Sequence, residues 1–536
     1  MLPDIDKLSL AQQVAQMVVV RASGYLFDHQ IQYPAWEPPA RELIHWVQDL
    51  GIGGVIFLGA SAGELAIRIQ QLQNQANIPL LIAADIEEGV GQRFSGATWF
   101  PPPMALSAIF RQDQKLGVHY AEKMGELTAK EALAIGINWV LAPVVDVNNN
   151  LDNPVINVRA FGENTDEVKE LACRFIRGAK KYSVLTSAKH FPGHGDTAID
   201  SHLELPVITH SQTRLTEVEL PPFQAAIASG VDTVMTAHLS IPVWDDQLPA
   251  TLSPKILTGK LRQQLGFSGL ITTDALVMGA IANRYGANQA PVMAVEAGVD
   301  ILLMPVNPEG AIRAVCEAVE NGRIERSRIR SSVERIWQAK AKIAYKKTEV
   351  SNLTYHIGNL ESRNTAKEIV QHSLITHGSL PLSPAKFINL TEVNNSPSAE
   401  IPTGLRNLIV VDDSLNCPYI NHLAPAICLP TEMGYQTQIC DRYHPHPIDL
   451  PDNCPTLLQL FIRGNPFRGS AGLNQPAEEL LKKLLIYPYL QGLIVYGSPY
   501  VWNKFIPLIQ PDTPGVFSYG QMAIAQETAL LNLFGR

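Results

Sequence analysis

From Leu185 to His202 the chain reads L-T-S-A-K-H-F-P-G-H-G-D-T-A-I-D-S-H. An apolar strand runs straight into Lys189 and His190, a Pro-Gly-His-Gly turn follows with His194 and Asp196, and the stretch closes on Asp200, Ser201 and His202. Folding alone does not call for a core strand that ends in a lysine and a histidine. Ionisable groups gathered in this way suit proton transfer and the binding of a polar substrate. A second junction has the same form: Leu270-Ile271-Thr272-Thr273 runs into Asp274. Asp85, Asp146 and His238 also follow apolar runs, and Arg159 stands on the loop after the fourth. Acids, histidines, a lysine and an arginine, with neither a phosphate loop nor the nucleophile elbow of a serine hydrolase, fit bond cleavage at a polyhydroxylated substrate.

The elements that must position these residues are repeated βα units. Candidate strands are Met17–Val20, Gly54–Leu58, Leu80–Ala84, Trp139–Ala142, Val184–Ala188, Thr233–Ala237, Leu270–Thr273 and Asp300–Met304. Amphipathic helical stretches lie between them. One runs from Asp166 to Lys181 after a Thr165 cap, with Val168, Leu171, Phe175 and Ile176 on one face. Another runs from Leu215 to Ser229. About eight such units make a (β/α)8 barrel of the TIM type, in which polar groups at the C-terminal strand ends converge on one mouth. A doubly wound open sheet is the rival, but no Gly-rich fingerprint follows the first strand.

Residues 322–347 carry many Arg and Lys, with Ile324, Ile329, Val333, Ile336 and Trp337 at helical spacing. The expectation is an outer helix with a solvated basic face that closes the barrel. The composition shifts near Thr348, which divides the chain into a catalytic barrel over 1–347 and a smaller α/β sandwich over 348–536. In the second part a helix is expected near Glu361–His377, strands at Leu408–Val411, Leu457–Ile462 and Leu493–Tyr496, and a helix at Pro476–Ile486. Cys417, Cys428, Cys440 and Cys454, with His422, His444 and His446 among them, make a zinc site conceivable, but their spacings are wide and irregular. Buried thiols are expected instead.

With 46% hydrophobic and 17% charged residues the chain has the material for sizeable cores. Its formal charge of -9 argues against a polyanionic partner such as nucleic acid. No apolar run reaches the roughly 20 residues that cross a bilayer, and the acidic start Met1-Leu2-Pro3-Asp4-Ile5-Asp6 is unlike a secretory signal. A cytoplasmic protein acting on a small carbohydrate, away from membranes, is expected.

Several motifs occur in the order of one family. K-H-F-P-G-H-G-D-T followed by D-S-H, the upstream D-N-P-V-I-N-V-R-A-F-G, the F-P-P-P-M-A-L after Trp99 and the strand ending at Asp274 resemble family-3 glycoside hydrolases. Within that family they are most similar to the bacterial β-N-acetylglucosaminidases of peptidoglycan recycling. The resemblance implies that Asp274 is the nucleophile of a retaining mechanism, that His202 is the acid/base with Asp200 as its partner, and that Asp85, Arg93, Arg159, Lys189 and His190 bind sugar hydroxyls. It implies no metal and no organic cofactor. The bland alternatives are a helix N-cap for Asp274, a stabilising ion pair for Lys189, a helix cap for Arg159 and a turn for Asp85. His194 competes with His202 on composition alone and is assigned a structural place, bonded to backbone.

Two departures stand out. The family commonly has E-G-G-R where this chain has Glu87-Glu88-Gly89-Val90-Gly91-Gln92-Arg93, and Thr272-Thr273 replace a frequent Ser-Asp before the nucleophile. Both bear on the sugar accepted. The expected activity is therefore exo-acting removal of terminal β-linked GlcNAc. The enzyme rivals are a glycoside phosphorylase and a β-glucosidase; the non-enzyme rival is an inactive sugar-binding protein.

Overall fold

The computed structural model describes residues 2–198, 204–343, 350–382, 404–443, 454–464 and 489–536, with isolated helical positions at 478, 482 and 485. The chain forms two compact units, Met1–Thr365 and Ala366–Arg536.

In the first unit eight strands run parallel: β1 Val18–Ala22, β2 Gly54–Phe57, β3 Leu81–Ala84, β4 Trp139–Val140, β5 Leu185–Phe191, β6 Thr233–Thr236, β7 Leu270–Thr272 and β8 Leu302–Leu303. Each hydrogen-bonds the next, and β8 pairs with β1. A bridge between Thr272 and Ile301 joins β7 to β8 and closes the ring. All eight are buried along their whole length, as parallel strands covered on both faces must be. The expected barrel is present. β5 runs three residues further than the sequence pattern suggests, through Lys189, His190 and Phe191, and its register against β6 slips between Ala188 and Phe191. A short ladder of Ala60–Ser61 against Phe94–Ser95, not foreseen, ties the second and third βα loops together.

The helices follow their apolar stripes. α1 (Gln114–Ala134) and α2 (Thr165–Ala179) cross closely because Gly125 and Gly178 leave room for backbone: a Cβ at either would meet a carbonyl oxygen about 2 Å away. Val168, Leu171, Phe175 and Ile176 are all fully buried. The cap of α2 is Asn164 and not Thr165; the Asn164 side chain accepts the Glu167 N–H. The stretch from Leu215 is not one uniform helix. A wider turn over Leu215–Glu219 precedes Leu220–Ala228, where Pro221 and Pro222 supply no amide for the helical ladder.

α3 (Arg326–Lys342) closes the barrel as expected, but its basic residues are not simply solvated. Arg335 donates to Asp300 at 2.9 Å, Lys342 pairs with Asp232 at 3.0 Å, and buried Lys340 donates to Gln16 at 2.7 Å. These partners precede β8, β6 and β1, so the helix is bolted to the N-terminal floor. The barrel needs those contacts because carboxylates buried there have no water to solvate them.

The second unit holds a six-stranded sheet in the order β9 (Ile375–His377), β14 (Gly515–Ser518), β13 (Leu490–Gly497), β12 (Thr456–Ile462), β10 (Leu405–Val410), β11 (Tyr435–Cys440). All its pairings are parallel except β9 with β14. Ile409, Leu457, Ile494 and Val516 meet Ala529, Leu530 and Leu533 of α4 (Ala523–Phe534) in one core, which makes this the expected α/β domain. The expected Glu361–His377 helix is Leu360–Ser373, and its last residues belong instead to β9. Of the helix expected at Pro476–Ile486 only Glu478, Lys482 and Leu485 are described, and His444 and His446 lie outside the described residues. Cys440 is buried, whereas Cys417, Cys428 and Cys454 are half-buried; the Cys428 and Cys454 thiols donate to backbone carbonyls.

Candidate active site

A parallel barrel presents all its C-terminal strand ends at one mouth, and that is where the ionisable residues stand. Lys189, near the end of β5, is 1% exposed; its Nζ lies 2.7 Å from Asp85 Oδ1 and 2.6 Å from Glu87 Oε1. Arg159 grips the same Glu87 as a fork, Nε to Oε2 at 2.8 Å and Nη2 to Oε1 at 2.7 Å. Its Nη1 donates to the Val155 carbonyl. Two cations therefore share two carboxylates in a chain Asp85, Lys189, Glu87, Arg159. Burial works against the charge on Glu87, but Arg159 and Lys189 outweigh it and hold the carboxyl well below its usual range. For Lys189 burial pulls the ammonium down while Asp85 and Glu87 more than restore it. Glu87, Lys189 and Arg159 are therefore charged at neutral pH.

Beside this network lies a second one built on Asp146, which is fully buried after β4. Its carboxylate accepts His190 Nδ1 at 2.7 Å, the His190 backbone N–H at 3.1 Å and the His194 N–H at 2.7 Å. Burial opposes that charge; His190 overcomes it and keeps Asp146 ionised. An ionised carboxylate only accepts, so Nδ1 of His190 carries the proton and Nε2 is turned to other work. The charge of Asp146 also reaches Arg159, which joins the two networks electrostatically.

Asp274 stands two residues beyond β7, half-buried, and accepts the Ala275 N–H at 2.7 Å. It is not a helix N-cap: the next helix begins only at Gly279, with Met278 as its cap residue. His238 supports this turn by bonding the Ala275 carbonyl through Nε2 at 3.1 Å, while its Nδ1 meets Thr251 Oγ1 at 2.8 Å. The charge of Asp274 acts on His194, which places both at one mouth.

His194 is buried, with Nδ1 2.8 Å from Thr197 Oγ1, a hydroxyl contact within its own loop. Burial pushes its pKa down to about 4 despite Asp146, and a ring neutral at pH 7 has no proton to donate as a general acid. Asn153 ties its loop to the loop of Arg159: Nδ2 donates to the carbonyls of His194 and Gly195, and Oδ1 accepts from Val155 and Ile156.

Of the residues expected at the site, Asp85, Arg159, Lys189, His190 and Asp274 are brought to this mouth. Arg93 is exposed and donates from Nε to the Asp85 backbone carbonyl at 3.2 Å. Asp200 and His202 lie outside the described residues. The departure at Glu88 is absorbed locally: its buried carboxylate accepts Trp99 Nε1 at 2.9 Å, and Val90 is buried. The sequence places Asp146 among the strand-end groups suited to chemistry but gives it no role, and it shows Glu87 only as part of an altered motif. Its E-E-G context gives no local sign that it joins Arg159 to Lys189.

A barrel mouth that sets an ion-pair network beside a separate carboxylate holds the kinds of group that glycoside cleavage uses. Residues 9–339 match the glycosyl hydrolase family 3 N terminal domain, and residues 399–535 the bacterial glycosyl hydrolase family 3 C-terminal domain. The chain is 33% identical over 511 residues to the beta-hexosaminidase A of Pseudoalteromonas piscicida, covering 88% of this chain and 83% of that protein. It is 32% identical over 306 residues to the beta-N-acetylglucosaminidase/beta-glucosidase of Cellulomonas fimi, covering 55% of this chain and 53% of that one. Among solved structures it is similar to a glycoside hydrolase family 3 beta-N-acetylglucosaminidase from Paenibacillus sp. str. FPU-7, with a TM-score of 0.78, 28% identity and coverage of 98% and 97% of the two chains. The chain belongs to glycosyl hydrolase family 3.

Proposed function

We propose that the protein is a retaining exo-β-N-acetylglucosaminidase that removes a terminal non-reducing GlcNAc from small carbohydrates, with peptidoglycan-derived fragments as its natural source. The observation that carries this reading is the arrangement of the mouth. The charged chain Asp85, Lys189, Glu87, Arg159 offers hydrogen-bonding groups for sugar hydroxyls, and Asp274 stands at the same end of the barrel. The beta-hexosaminidase relatives support the choice of GlcNAc.

In this mechanism Asp274 attacks the anomeric carbon while the protonated His202, oriented by Asp200, gives its proton to the leaving oxygen. A glycosyl ester on Asp274 results. His202, now neutral, then takes a proton from water, which attacks the anomeric carbon and releases the sugar with its configuration retained. The neutral state of His194 favours His202 for this task. Lys189, His190, Arg159 and Asp85 hold the sugar in place, with Arg93 bracing the Asp85 backbone. No group beyond the chain's own side chains is invoked. Six free thiols accord with a reducing, cytoplasmic setting, and the charge of -9 with a neutral or weakly charged small substrate rather than nucleic acid. No helix among the described residues is long and apolar enough to cross a membrane.

The test is hydrolysis of an aryl GlcNAc β-glycoside by wild type and Asp274→Asn, with a loss of at least about a thousandfold expected in the variant. A 2-fluoro or 5-fluoro sugar should label a peptide containing Asp274. A label on another carboxylate, or full activity in Asp274→Asn, ends this reading. Running the assay with and without phosphate distinguishes free GlcNAc from its 1-phosphate, and so a hydrolase from a phosphorylase. His202→Ala should slow substrates with poor leaving groups far more than activated aryl ones; equal losses would count against its role as acid.

A further inference from the structure

Leaving aside Tyr355 and Leu360, every large apolar side chain exposed in the first unit among the described residues sits on a loop that follows a barrel strand. Three of them, Phe27, Tyr33 and Trp36, share the loop after β1, with exposures of 61%, 50% and 38%. Water penalises such rings, and their concentration on the working face calls for a reason.

The loop is built, not loose. Arg21, near the end of β1, is 7% exposed and donates from Nε and Nη2 to Glu37 Oε1 at 3.0 and 2.8 Å. The Asp28 carboxylate accepts the Ala40 N–H at 2.8 Å, and Gln30 reaches Glu64 on the helix after β2 at 3.4 Å. The Arg21 guanidinium lies 4.7 Å from the Tyr33 ring centre and 5.3 Å from that of Trp36, while the two ring centres are 6.1 Å apart and tilted by only 20°. That separation is well short of the sum of the two cation distances. The rings therefore do not sandwich the guanidinium but lie side by side upon it, nearly parallel. Because Arg21 is already paired with Glu37, the charge beneath serves as a seat for the rings and not as an anion site.

We infer that Tyr33 and Trp36 form a stacking platform for a sugar ring of the aglycone, the part of the substrate beyond the bond that is cut. This rests on the reading of the mouth as a glycosidase site and extends it to a further subsite. β1 lies midway between the strands that lead to Asp85 and to Asp274, two strand spacings or roughly 10 Å from each. An aglycone leaving the reacting centre on that side passes over the loop. A pyranose offers an apolar C–H face and polar edges, and a flat aromatic pair held rigidly in a polar surround matches it without an ordering cost.

The full-length protein is assayed on methyl β-GlcNAc, whose aglycone is too small to reach the platform, and on N-acetylchitotriose. Tyr33→Ala and Trp36→Ala should each lower kcat/KM on the trisaccharide by about tenfold while leaving the methyl glycoside within about twofold. Tyr33→Phe and Trp36→Phe, which keep a ring, should stay near wild type on both. Equal losses on the two substrates, no loss on either, or losses as large in the ring-keeping variants would overturn the platform. Wild type that cleaves neither substrate would fail the reading of the site itself and the platform with it. Wild type that cleaves both, with alanine variants indistinguishable from it, fails the platform alone.

Discussion

Glu87 holds buried Lys189 and part-buried Arg159, yet the sequence does not mark it as a site residue. Sequence pattern marks strand ends well, because apolar runs stop where the barrel opens; it found Asp85, Lys189, His190 and Asp274 on that ground. Glu87 lies beyond its strand in a turn, and its importance comes only from the approach of Arg159 and Lys189, which are 72 and 102 positions away. Glu87→Gln would leave Lys189 paired with Asp85, and Arg159 with the more distant charges of Asp85 and Asp146. The expected result is destabilisation by about 3 to 5 kcal/mol together with a raised KM, read by thermal melting and by steady-state kinetics. An unchanged KM would assign Glu87 to stability alone. His194 allows a pH test at the same scale. Burial lowers its pKa to about 4 in the folded chain, against 6.5 for a free ring. Between those values the unfolded chain takes up a proton that the folded one does not, so acid favours unfolding; stability rises with pH through the window and levels off above it. Lowering the pH from 7 to 5 should cost about 2 kcal/mol in wild type, and this slope should flatten in His194→Gln. An equal slope in the variant would show that other groups carry the acid sensitivity.

At the scale of elements, the barrel strands were legible because parallel strands buried on both faces are continuous apolar runs bounded by polar turns. Their ends were less so. β5 carries Lys189 and His190 within the strand, since those polar side chains find carboxylate partners at the mouth, and polarity alone had suggested that the strand stopped at Ala188. The short edges of the second domain were missed for the opposite reason: β9 is three residues long and largely exposed, and β11 alternates with polar residues. The loops after β4 and β5 act as one unit through Asn153, whose amide bonds four backbone groups across them. Gly195 adds to this by closeness: a Cβ there would meet the Val147 carbonyl at 1.7 Å. Asn153→Ala should take a donor or acceptor from the buried Gly195 carbonyl and the Val155 and Ile156 amides and lower stability by about 2 kcal/mol or more. If the two loops position Arg159 and the acid/base segment together, kcat should fall as well, with a smaller change in KM. A loss of stability with kcat intact would confine Asn153 to the scaffold.

Across the whole molecule, the barrel divides its ionic networks between its two ends. The mouth carries the proposed chemistry, whereas the floor carries Asp300, a fully buried carboxylate before β8 that draws in three arginines. Its Oδ2 meets Arg262 at 2.7 Å and the Ile271 N–H at 3.0 Å; its Oδ1 meets Ser332 at 2.6 Å and Arg335 at 2.9 Å, with Arg328 at 3.5 Å. Burial, together with the neighbouring arginines, pulls Arg262 down to about 10 even with Asp300 beside it. The basic residues of α3 thus looked like a solvated face in sequence because nothing in the helix itself announces a carboxylate about 30 positions upstream. Asp300→Asn keeps the shape and removes the negative charge that three crowded cations share. Stability should fall by about 3 to 5 kcal/mol, or roughly 5 to 15 °C in Tm. Because the floor is the length of a strand away from the mouth, kcat/KM at 25 °C should remain within about twofold of wild type. The comparison with Glu87→Gln is the informative one. Both remove a buried carboxylate that serves more than one cation, so both should lower Tm, but only the variant at the mouth should also weaken substrate binding. Equal kinetic losses in the two would mean that the barrel transmits damage from floor to mouth, and that the division of labour between its ends does not hold.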